Sequence, residues 1–344
     1  MSIPKISIII PFCNSERVLP LCLRGIVDQT IQPLDVILVD NNSKDGSAFI
    51  AKKFEEEHPG RCTYIVESKQ GPSSARNTGV RSARGDIMAF TDSDCIPGEY
   101  WLRDIMQAFN NPSIGAVAGK IVGSRSANSV EIFHALFTLK GGPQEKVYES
   151  FSLNAGGFAT ANFAVRKDLF EKLGGFDESR SFGEDHDLCA RIYKSGHSIK
   201  YIPIGIVYHV HRSDVIRTCR QAFQFGKSHP FLLSKHFKKY LLIELGGVSL
   251  KDTRLPIRAW INLSSADKKI LGIVILSMLY PPLLALIPAY IGFLSYRAAV
   301  MARAESIDLS AKNRLVIPLL LIAKSAAMTA GRLWGSVKYH SLCL

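Results

Sequence analysis

The sequence predicts an α/β fold: a Rossmann-like, mostly parallel sheet with helices on both faces, followed by a C-terminal helical region that associates with a membrane. In the first half of the chain, short β-branched runs alternate with helical patterns. This alternation is typical of parallel sheets whose two faces are both covered. Residues 270–294 then contain no charged side chain, a stretch long enough to cross a bilayer.

The individual elements are predicted from the points where the apolar runs start and stop. The first half is expected to contain strands at 6–10, 36–39, 63–66 and 86–90, and helices at 15–29, 43–57 and 73–83. The middle section is expected to contain strands at 162–165 and 201–208, and helices at 167–173 and 184–195. The helix that starts at Lys167 stops at Gly174 and Gly175, as helices with a glycine C-cap do.

The chain divides by composition into three predicted segments. Residues 1–212 form the α/β domain, and residues 270–344 form hydrophobic, membrane-associated helices. Between them, residues 213–269 mix basic with apolar side chains, which favours amphipathic helices at a membrane surface, among them 214–227 and 236–246.

Prolines interrupt the longest apolar run of the C-terminal segment. Pro281, Pro282 and Pro288 make a straight helix over 270–294 unfavourable, so this run is either a kinked span or two half-helices in a re-entrant hairpin. A second apolar stretch, 315–333, carries Lys324 and Arg332, which favours an interfacial rather than a spanning helix. A buried helical domain of a soluble protein is the alternative, although apolar runs of this length are uncommon in soluble cores.

Charge and cysteine content limit the setting of the protein. Lys and Arg number 42 against 30 Asp and Glu, and the net charge of +12 favours anionic partners such as phosphate-bearing substrates or an anionic leaflet. The seven cysteines form no C-x-x-C pair, so we expect buried thiols in a reducing compartment. The N-terminal sequence does not resemble a signal peptide, and we therefore expect the α/β domain at the cytoplasmic face of a membrane.

Polar residues follow four of the predicted strands, at the point where each strand ends. They occupy 11–14, 40–43, 67–72 and 92–94. Ligands of parallel sheets bind beyond the carboxyl ends of the strands. The four loops are therefore expected to meet at one edge of the sheet and to form one binding site.

Asp92 and Asp94 are the candidate metal ligands. They lie two residues apart, so in extended backbone both carboxylates project to the same side. Carboxylates in this arrangement suit Mg²⁺ or Mn²⁺, which also take phosphate oxygens as ligands. A solvated acidic turn is the alternative for an isolated pair of this kind, but the three neighbouring polar loops favour the metal site.

Six motifs resemble, in the same order, those of the family 2 inverting glycosyltransferases. They are IIIPFCN at 8–14, VDNNSKDGS at 39–47, GPSSARNTG at 71–79, DSD at 92–94, GGFD at 174–177 and GEDHDL at 183–188. Each motif is weak alone, but the ordered set, within residues 4 to 227, is specific. The resemblance implies the GT-A fold, a nucleotide-diphosphate sugar as donor and a divalent cation, Mn²⁺ or Mg²⁺.

The resemblance also implies roles for individual residues around the nucleotide. The residues that match nucleotide-sugar-binding positions are Pro11, Asn14, Asp40, Asn41, Gly71, Arg76, Asn77 and Asp92. Of these, Asp40 and Asn41 match the positions that read base and ribose, and Arg76 and Asn77 match the segment that closes over the nucleotide. Position 41 is commonly an acid in the family, so an asparagine there leaves the identity of the base open.

Other matching positions concern catalysis and the acceptor. Asp185 matches the catalytic base, and Glu184 matches a supporting acceptor of hydrogen bonds. The structural alternative for Asp185 is helix capping, because carboxylates are favoured in a first turn. His209 is chosen over His211 as the histidine that completes the metal shell in related enzymes. Asn162 and Phe163 match a stretch that faces the acceptor and the transferred sugar.

One departure from the family narrows the expected activity. Processive members carry Q-x-x-R-W after the acidic helix, but the nearest segment here, 221–225, reads QAFQF. This favours transfer of a single sugar to a membrane-bound or lipid-linked glycan, as in polysaccharide biosynthesis. The alternatives are a transferase that charges polyprenyl phosphate and a silent membrane scaffold with a remnant cleft. Nucleic acid is not an expected partner, because the basic residues are not interleaved with stacking aromatics.

Overall fold

The computed structural model describes residues 4–124, 128–138, 141–211, 213–246 and 248–344. It divides into two compact units. The first unit comprises Met1–Ser124 and Leu139–Val210, and the second comprises Arg125–Thr138 and His211–Leu344. Residue 212, where the sequence places its first boundary, lies outside the described residues.

Strands and helices alternate through the first unit, and the second is mostly helical. The strands are β1 (Ile6–Phe12), β2 (Asp35–Asp40), β3 (Cys62–Val66), β4 (Ile87–Phe90), β5 (Cys95–Pro97), β6 (Ile114–Ala118), β7 (Ile121–Gly123), β8 (Lys146–Tyr148), β9 (Phe163–Arg166), β10 (Ser198–Tyr201), β11 (Val207–His209), β12 (Tyr240–Leu245), β13 (Val248–Asp252), β14 (Arg258–Asn262) and β15 (Leu342–Cys343). The helices are α1 (Leu19–Val27), α2 (Ser47–Glu57), α3 (Pro72–Ser82), α4 (Trp101–Ala108), α5 (Ser129–Phe137), α6 (Lys167–Lys172), α7 (Glu184–Lys194), α8 (Val215–His236), α9 (Ala266–Ser277), α10 (Leu286–Ala304) and α11 (Ala311–Tyr339). Short 3₁₀ helices cover Thr160–Asn162 and Pro281–Ala285.

The first unit is built on an eight-stranded sheet of order β3-β2-β1-β4-β9-β6-β10-β8. The strands β3, β2, β1 and β4 pair in parallel, as do β6 and β10, whereas β9 runs antiparallel to both of its neighbours. The predicted α/β class is therefore confirmed. The parallel half carries the four polar loops at one edge.

Buried isoleucines in β1 show that both faces of the sheet are covered. Ile8 and Ile10 pack into a core with Leu19 of α1 and Trp101 of α4. Ile9 points to the opposite face, where Gly79 of α3 approaches it. A continuous apolar run, rather than an alternating one, is what a parallel strand buried on both sides requires.

The predicted strand over 201–208 is two strands that belong to different sheets. β10 ends at Tyr201 and extends the large sheet, whereas β11 starts at Val207 and lies between β5 and β7 in a three-stranded sheet. Pro203 and the positive φ of Gly205, 63°, interrupt the run between them. The interruption sends His209 to β5 rather than along the large sheet.

The second unit differs from the prediction in its first part. Residues 213–269 were expected to be helical, but only α8 follows that expectation before β12, β13 and β14 form a sheet with β15. Tyr240–Leu245 is rich in residues that favour strands, and it pairs with β14 and β13. Those partners lie further along the chain, so the local pattern of 236–246 alone suggested a helix.

Two helical segments of the second unit are long and apolar enough to cross a membrane: Pro281–Ala304 and Ala311–Tyr339. Only 11% and 22% of their most apolar stretches are buried, respectively. Core helices of soluble proteins can be as long and as apolar, but they are mostly buried. The predicted C-terminal region of apolar helices is thus present, with much of its apolar surface uncovered.

The close approach of α3 to the sheet generates a stability prediction. An alanine Cβ at position 79 would overlap Cγ2 of Ile9 and lie 3.2 Å from Cγ2 of Val39. We expect Gly79→Ala to lower the free energy of unfolding by about 1–2 kcal/mol, although alanine favours helices. Chemical denaturation followed by circular dichroism measures the change.

Gly142→Ala serves as the matched control, because a Cβ at Gly142 meets no atom within 4 Å. We expect it to stay within about 0.5 kcal/mol of the parent protein. Equal stability of the Gly79 and Gly142 variants would contradict the close packing of α3.

Candidate active site

The loops after β1 and β2 are joined at the carboxyl edge of the sheet. Asn14, exposed and with a positive φ of 52°, accepts a hydrogen bond from the backbone N–H of Lys44 at 2.7 Å and donates its own N–H to Ser43 at 3.1 Å. Ser15 bonds to Ser93, between the two aspartates, through their hydroxyls at 2.8 Å. Three of the predicted polar loops are therefore in direct contact, and Pro11 lies at the same edge, half-buried near the end of β1.

Asp40 is buried at the end of β2, where its carboxylate is already bonded. One oxygen accepts from the N–H of Ser43 at 2.8 Å, and the other accepts from the hydroxyl of Tyr64 at 3.1 Å. These bonds fix the carboxylate and close the turn after β2. The side chain holds the turn after β2 through Ser43, and neither oxygen is left without a partner for a base or ribose.

Asn41 holds the loop after β3. Its amide nitrogen donates to the carbonyl oxygens of Glu67 and Lys69 at 2.9 and 2.8 Å, and its amide oxygen accepts from the N–H of Gly71 at 2.8 Å. An aspartate has no hydrogen to donate to two carbonyl groups. The asparagine at this position is thus explained by the backbone it binds.

Asn77 binds the turn after α6 rather than facing the cleft. Its amide donates to the carbonyl oxygen of Phe176 and to a carboxylate oxygen of Glu178, both at 2.9 Å, and accepts from the N–H of Phe176. All of its polar atoms are used in these bonds. The structure therefore differs from the expectation that Asn77 contacts the nucleotide.

Arg76 is buried between two carboxylates. Its Nη2 donates to Asp92 at 2.8 Å and its Nη1 donates to Glu184 at 3.1 Å. The guanidinium also lies over the ring of Phe176, 5.7 Å from its centroid. Instead of reaching across the cleft, Arg76 ties the loop after β4 to the start of α7 in this structure.

Glu184 and Arg76 form a buried ion pair. Burial raises the pKa of Glu184 above its ordinary value of 4.5, to about 7, and the neighbouring Asp185 adds to the rise, whereas Arg76 opposes it. Arg76 remains charged, because Asp92 and Glu184 raise its pKa against the effect of burial. The bridge is therefore strongest where Glu184 is ionised.

Asp185 lies in the first turn of α7 and is partly exposed. Gly183 precedes the helix with a positive φ of 80°, and Asp185 accepts the N–H of His186 at 2.7 Å. Asp187, by contrast, is fully buried and bonds to Arg191 four residues later at 2.9 Å. Asp185 is thus the carboxylate of this turn that has access to solvent, as a catalytic base needs.

Asp94 and His209 lie together because β5 pairs with β11. His209 stands opposite Cys95 in the antiparallel register, and the N–H of Val210 donates to the carbonyl oxygen of Asp94 at 2.8 Å. The Nε2 of His209 is 3.6 Å from Oδ1 of Asp94. One ligand atom from each of Asp94, Cys95 and His209 lies within 4.8 Å of the others.

The chemistry of this group fits Mn²⁺ or Mg²⁺. Asp94 offers a carboxylate oxygen, which suits either cation, and His209 an imidazole nitrogen, which favours Mn²⁺ over Mg²⁺. Burial raises the pKa of Cys95 well above its ordinary value, with Asp94 and Asp92 adding to the rise. A thiol is also a softer ligand than Mn²⁺ or Mg²⁺ favours. Asp92 has one oxygen committed to Arg76.

A cavity of about 300 Å³ opens beside α7 within the first unit. Its wall includes Tyr148, Gly157, Phe158, Asn162, His186 and Tyr201. The ring of His186 packs so closely on Gly157 that a Cβ there would lie 2.7 Å away. The cavity combines aromatic rings with backbone polar groups, which suits a sugar.

The two residues expected at the acceptor differ in their placement. Asn162 lines the cavity, but its amide already donates to the carbonyl oxygens of Lys120 and Gly205 and accepts from the indole of Trp101. Phe163 is 1% exposed in β9, so its side chain does not reach a cavity. Asn162 therefore supports the wall of the cavity through its hydrogen bonds, and Phe163 belongs to the core.

Sequence reasoning missed Cys95 and His186 as neighbours of the site. Cys95 follows the acidic pair directly, but only its pairing with β11 places the thiol beside His209. His186 follows Asp185 directly in the motif at 183–188, and this position was the one sequence feature that could have indicated it. The cavity that it lines is formed by residues distant in sequence.

Comparisons with known proteins identify the family. The model of glycosyl transferase family 2 matches residues 7–174. A pre-mycofactocin glycosyltransferase of Mycobacterium tuberculosis is 31% identical over 265 residues, 75% of this chain and 52% of the relative, so the chain spans about half of that protein. Glycosyltransferase AglE of Haloferax volcanii is 30% identical over 247 residues, 69% of this chain and 72% of the relative.

A similar fold occurs in a mannosyltransferase of Pyrobaculum calidifontis, solved in complex with GDP-Man and Mn²⁺. The TM-score is 0.55 and the alignment covers 97% of this chain and 88% of that one. The sequences are 20% identical, so this likeness concerns the fold.

The Arg76 bridge generates a prediction about stability and pH. Arg76→Met removes the cation and leaves Glu184 buried and unpaired, which we expect to cost about 3 kcal/mol at pH 8. An acid with a raised pKa contributes stability that is present below its unfolded value, 4.5, and is lost as the pH rises through about 7. The cost should therefore be smaller at pH 5, where Glu184 is largely protonated.

Unfolding by urea at both pH values measures this difference. The double variant Arg76→Met/Glu184→Gln should lose most of the pH difference, because no buried carboxylate remains at position 184. Arg24→Met, which removes an 83% exposed arginine, should change stability by less than about 0.5 kcal/mol. If Arg76→Met lowered the unfolding free energy equally at pH 5 and pH 8, the loss would not come from an unpaired Glu184.

The hydrogen bonds of Asn41 generate a second prediction. Asn41→Asp keeps the acceptor for Gly71 but replaces two donated bonds by repulsion from carbonyl oxygens, and we expect a loss of about 1–3 kcal/mol in unfolding free energy. Asn14→Asp is the matched control, because Asn14 uses its side chain only to accept from Lys44 in the described structure. Thermal unfolding compares the two, and similar melting temperatures would contradict the role given to Asn41.

Proposed function

The chain belongs to glycosyl transferase family 2, and from this premise we propose that it transfers a single sugar, with inversion, to a membrane-bound or lipid-linked glycan. The family and the GT-A fold expected from the motifs are confirmed, and the protein is a glycosyltransferase that uses a nucleotide sugar. The observation that carries the finer proposal is the meeting of Asp94 with His209 on the sheet edge that also bears Asp40 and Asn41.

We propose that Asp94 and His209, with the free oxygen of Asp92, hold Mn²⁺ or Mg²⁺. When bound, such an ion would neutralise the charge that grows on the leaving diphosphate. The chemistry of the ligands supports this assignment, and the Pyrobaculum calidifontis mannosyltransferase was solved with Mn²⁺. Asn14 and the loops fixed by Asp40, Asn41 and Gly71 would hold the nucleotide.

The proposed reaction is a single displacement. The oxygen of an acceptor hydroxyl attacks the anomeric carbon while the bond from that carbon to the diphosphate oxygen breaks. The carboxylate of Asp185 takes the proton of the hydroxyl, and attack opposite the leaving group inverts the anomeric configuration. General-base help of this kind is worth about 10²–10⁴ in rate.

Glu184 and Arg76 are proposed to position the catalytic base. Glu184, bonded to Arg76, fixes the first turn of α7 and with it the neighbouring Asp185. The cavity beside His186 is the proposed place for the accepting sugar. The uncovered apolar helices of the second unit support an acceptor held at a membrane, and we place the reaction at its cytoplasmic face.

Two substitutions test the assignment of roles. Asp94→Ala should abolish metal-dependent release of nucleoside diphosphate from the donor, because the cation loses its carboxylate ligand. Asp185→Asn should slow transfer to a glycan hydroxyl by about 10²–10⁴ and leave donor affinity unchanged. Release of diphosphate and calorimetric donor binding measure the two effects, with the exposed Asp28→Asn as control.

The alternatives give different results in the same assays. A mild effect of Asp185→Asn would favour polyprenyl phosphate as acceptor, because a phosphate needs little help from a base. Absence of nucleotide-sugar binding would favour a silent scaffold. Normal turnover by Asp94→Ala would contradict the proposed metal site.

A further inference from the structure

Helices α9 and α10 form a hairpin rather than one long span. The 3₁₀ turn Pro281–Ala285 separates them, and the chain then folds back along α9. The ammonium group of Lys269, in the first turns of α9, lies 5.8 Å from the ring centroid of Tyr290 in α10. A continuous helix would place residues 269 and 290 about 30 Å apart.

The tip of this hairpin is the most exposed apolar part of the described chain. Leu279 is 85% exposed, Met278 78% and Tyr280 61%. Large apolar side chains that lie together and uncovered mark an interaction surface. No acidic or basic residue lies between Lys269 and Arg297 to solvate this surface.

The length of the apolar arms matches one leaflet of a bilayer. Lys269 and Leu279 are separated by about 15 Å of helix, and Leu286 and Arg297 by about 16 Å, at 1.5 Å per residue. The hydrocarbon core of a bilayer is about 30 Å thick, so one leaflet measures about 15 Å. Each arm therefore reaches from the headgroups to the middle of the bilayer and no further.

The charges at the base of the hairpin suit a headgroup layer. Arg297 and Arg303 are exposed on α10, and Lys269 directly precedes the apolar part of α9. Lys268 is not available for this purpose, because its ammonium bonds to Ser265 and Thr329. Basic residues at the end of an apolar element favour anionic lipid headgroups over a second protein surface.

We propose that the hairpin 270–296 is a re-entrant membrane anchor, whose tip Met278–Tyr280 enters the acyl region of one leaflet while both arms return to the same face. The anchor deepens the proposed membrane association but does not depend on the catalytic assignment. It identifies the partner as an anionic lipid leaflet, and it makes residues 270–294 an insertion that does not cross the bilayer.

An environment-sensitive fluorophore at the tip tests this proposal on the full chain. Cys13 and Cys219 are the native thiols that are not buried, so both are replaced by serine before Leu279→Cys is labelled with nitrobenzoxadiazole. Addition of phosphatidylglycerol-containing vesicles should shift the emission to the blue and allow quenching by spin-labelled lipids. Dithionite trapped inside the vesicles should leave the fluorescence unchanged.

Phe49→Cys, labelled in the same way, is the matched control. Phe49 is 73% exposed on α2 of the first unit, and its label should show neither shift nor lipid quenching. Bleaching of the label at position 279 by trapped dithionite would show that the tip crosses the bilayer and would overturn the proposal. An unshifted emission at position 279 in the presence of vesicles would overturn it as well.

A charge at the tip provides the second test. Leu279→Glu should weaken vesicle binding by roughly 10- to 100-fold, because a carboxylate is costly in the acyl region, whereas Phe49→Glu should not. Diphosphate release in detergent should persist in Leu279→Glu, which separates failure of the anchor from failure of the enzyme. Vesicle binding that is equal in both variants would contradict insertion of the tip.

Discussion

The buried guanidinium of Arg76 is the interaction on which the site depends. It binds Asp92, at the end of a central strand, and Glu184, at the start of a helix more than ninety positions later in the chain. A buried cation with two carboxylate partners costs less than one left alone, and removal of the cation leaves two carboxylates without a counter-charge. The pair of carboxylates thereby fixes where Asp94 and Asp185, their sequence neighbours, can lie.

The mixed sheet explains how the proposed nucleotide-binding edge and the Asp94–His209 pair come to lie in one unit. Its parallel half brings Asn14, Asp40 and Asn41 to one edge, where the nucleotide would bind. The break after β10 diverts the chain into a small second sheet, and that diversion delivers His209 to Asp94. The parallel half of the sheet thus builds the proposed donor site, and the diversion after β10 builds the proposed metal site. The first turn of α7 carries the proposed base.

The sequence predicted what local patterns control. Continuous apolar runs marked β1, β2 and β4, because both faces of those strands are buried. The polar loops were then predicted at the ends of the strands. Strand pairings were not predictable from local patterns: 236–246 suggested a helix, because its partner strands β13 and β14 lie further along the chain. The hydrogen-bond partners and the burial of individual side chains were not predictable either. Asn41 and Asn77 bind backbone groups whose positions follow only from the folded loops, and Phe163 is buried in an interior strand of the sheet.

Asp94 and His209 are proposed to hold a divalent cation beside the donor diphosphate. Pulsed electron paramagnetic resonance of the protein with Mn²⁺ and a nucleoside diphosphate detects the ligands of the cation. We expect a ¹⁴N modulation from one imidazole that disappears in His209→Gln, while the phosphorus coupling from the diphosphate remains. A spectrum without nitrogen coupling, or one that is unchanged in His209→Gln, would show that His209 does not bind the cation.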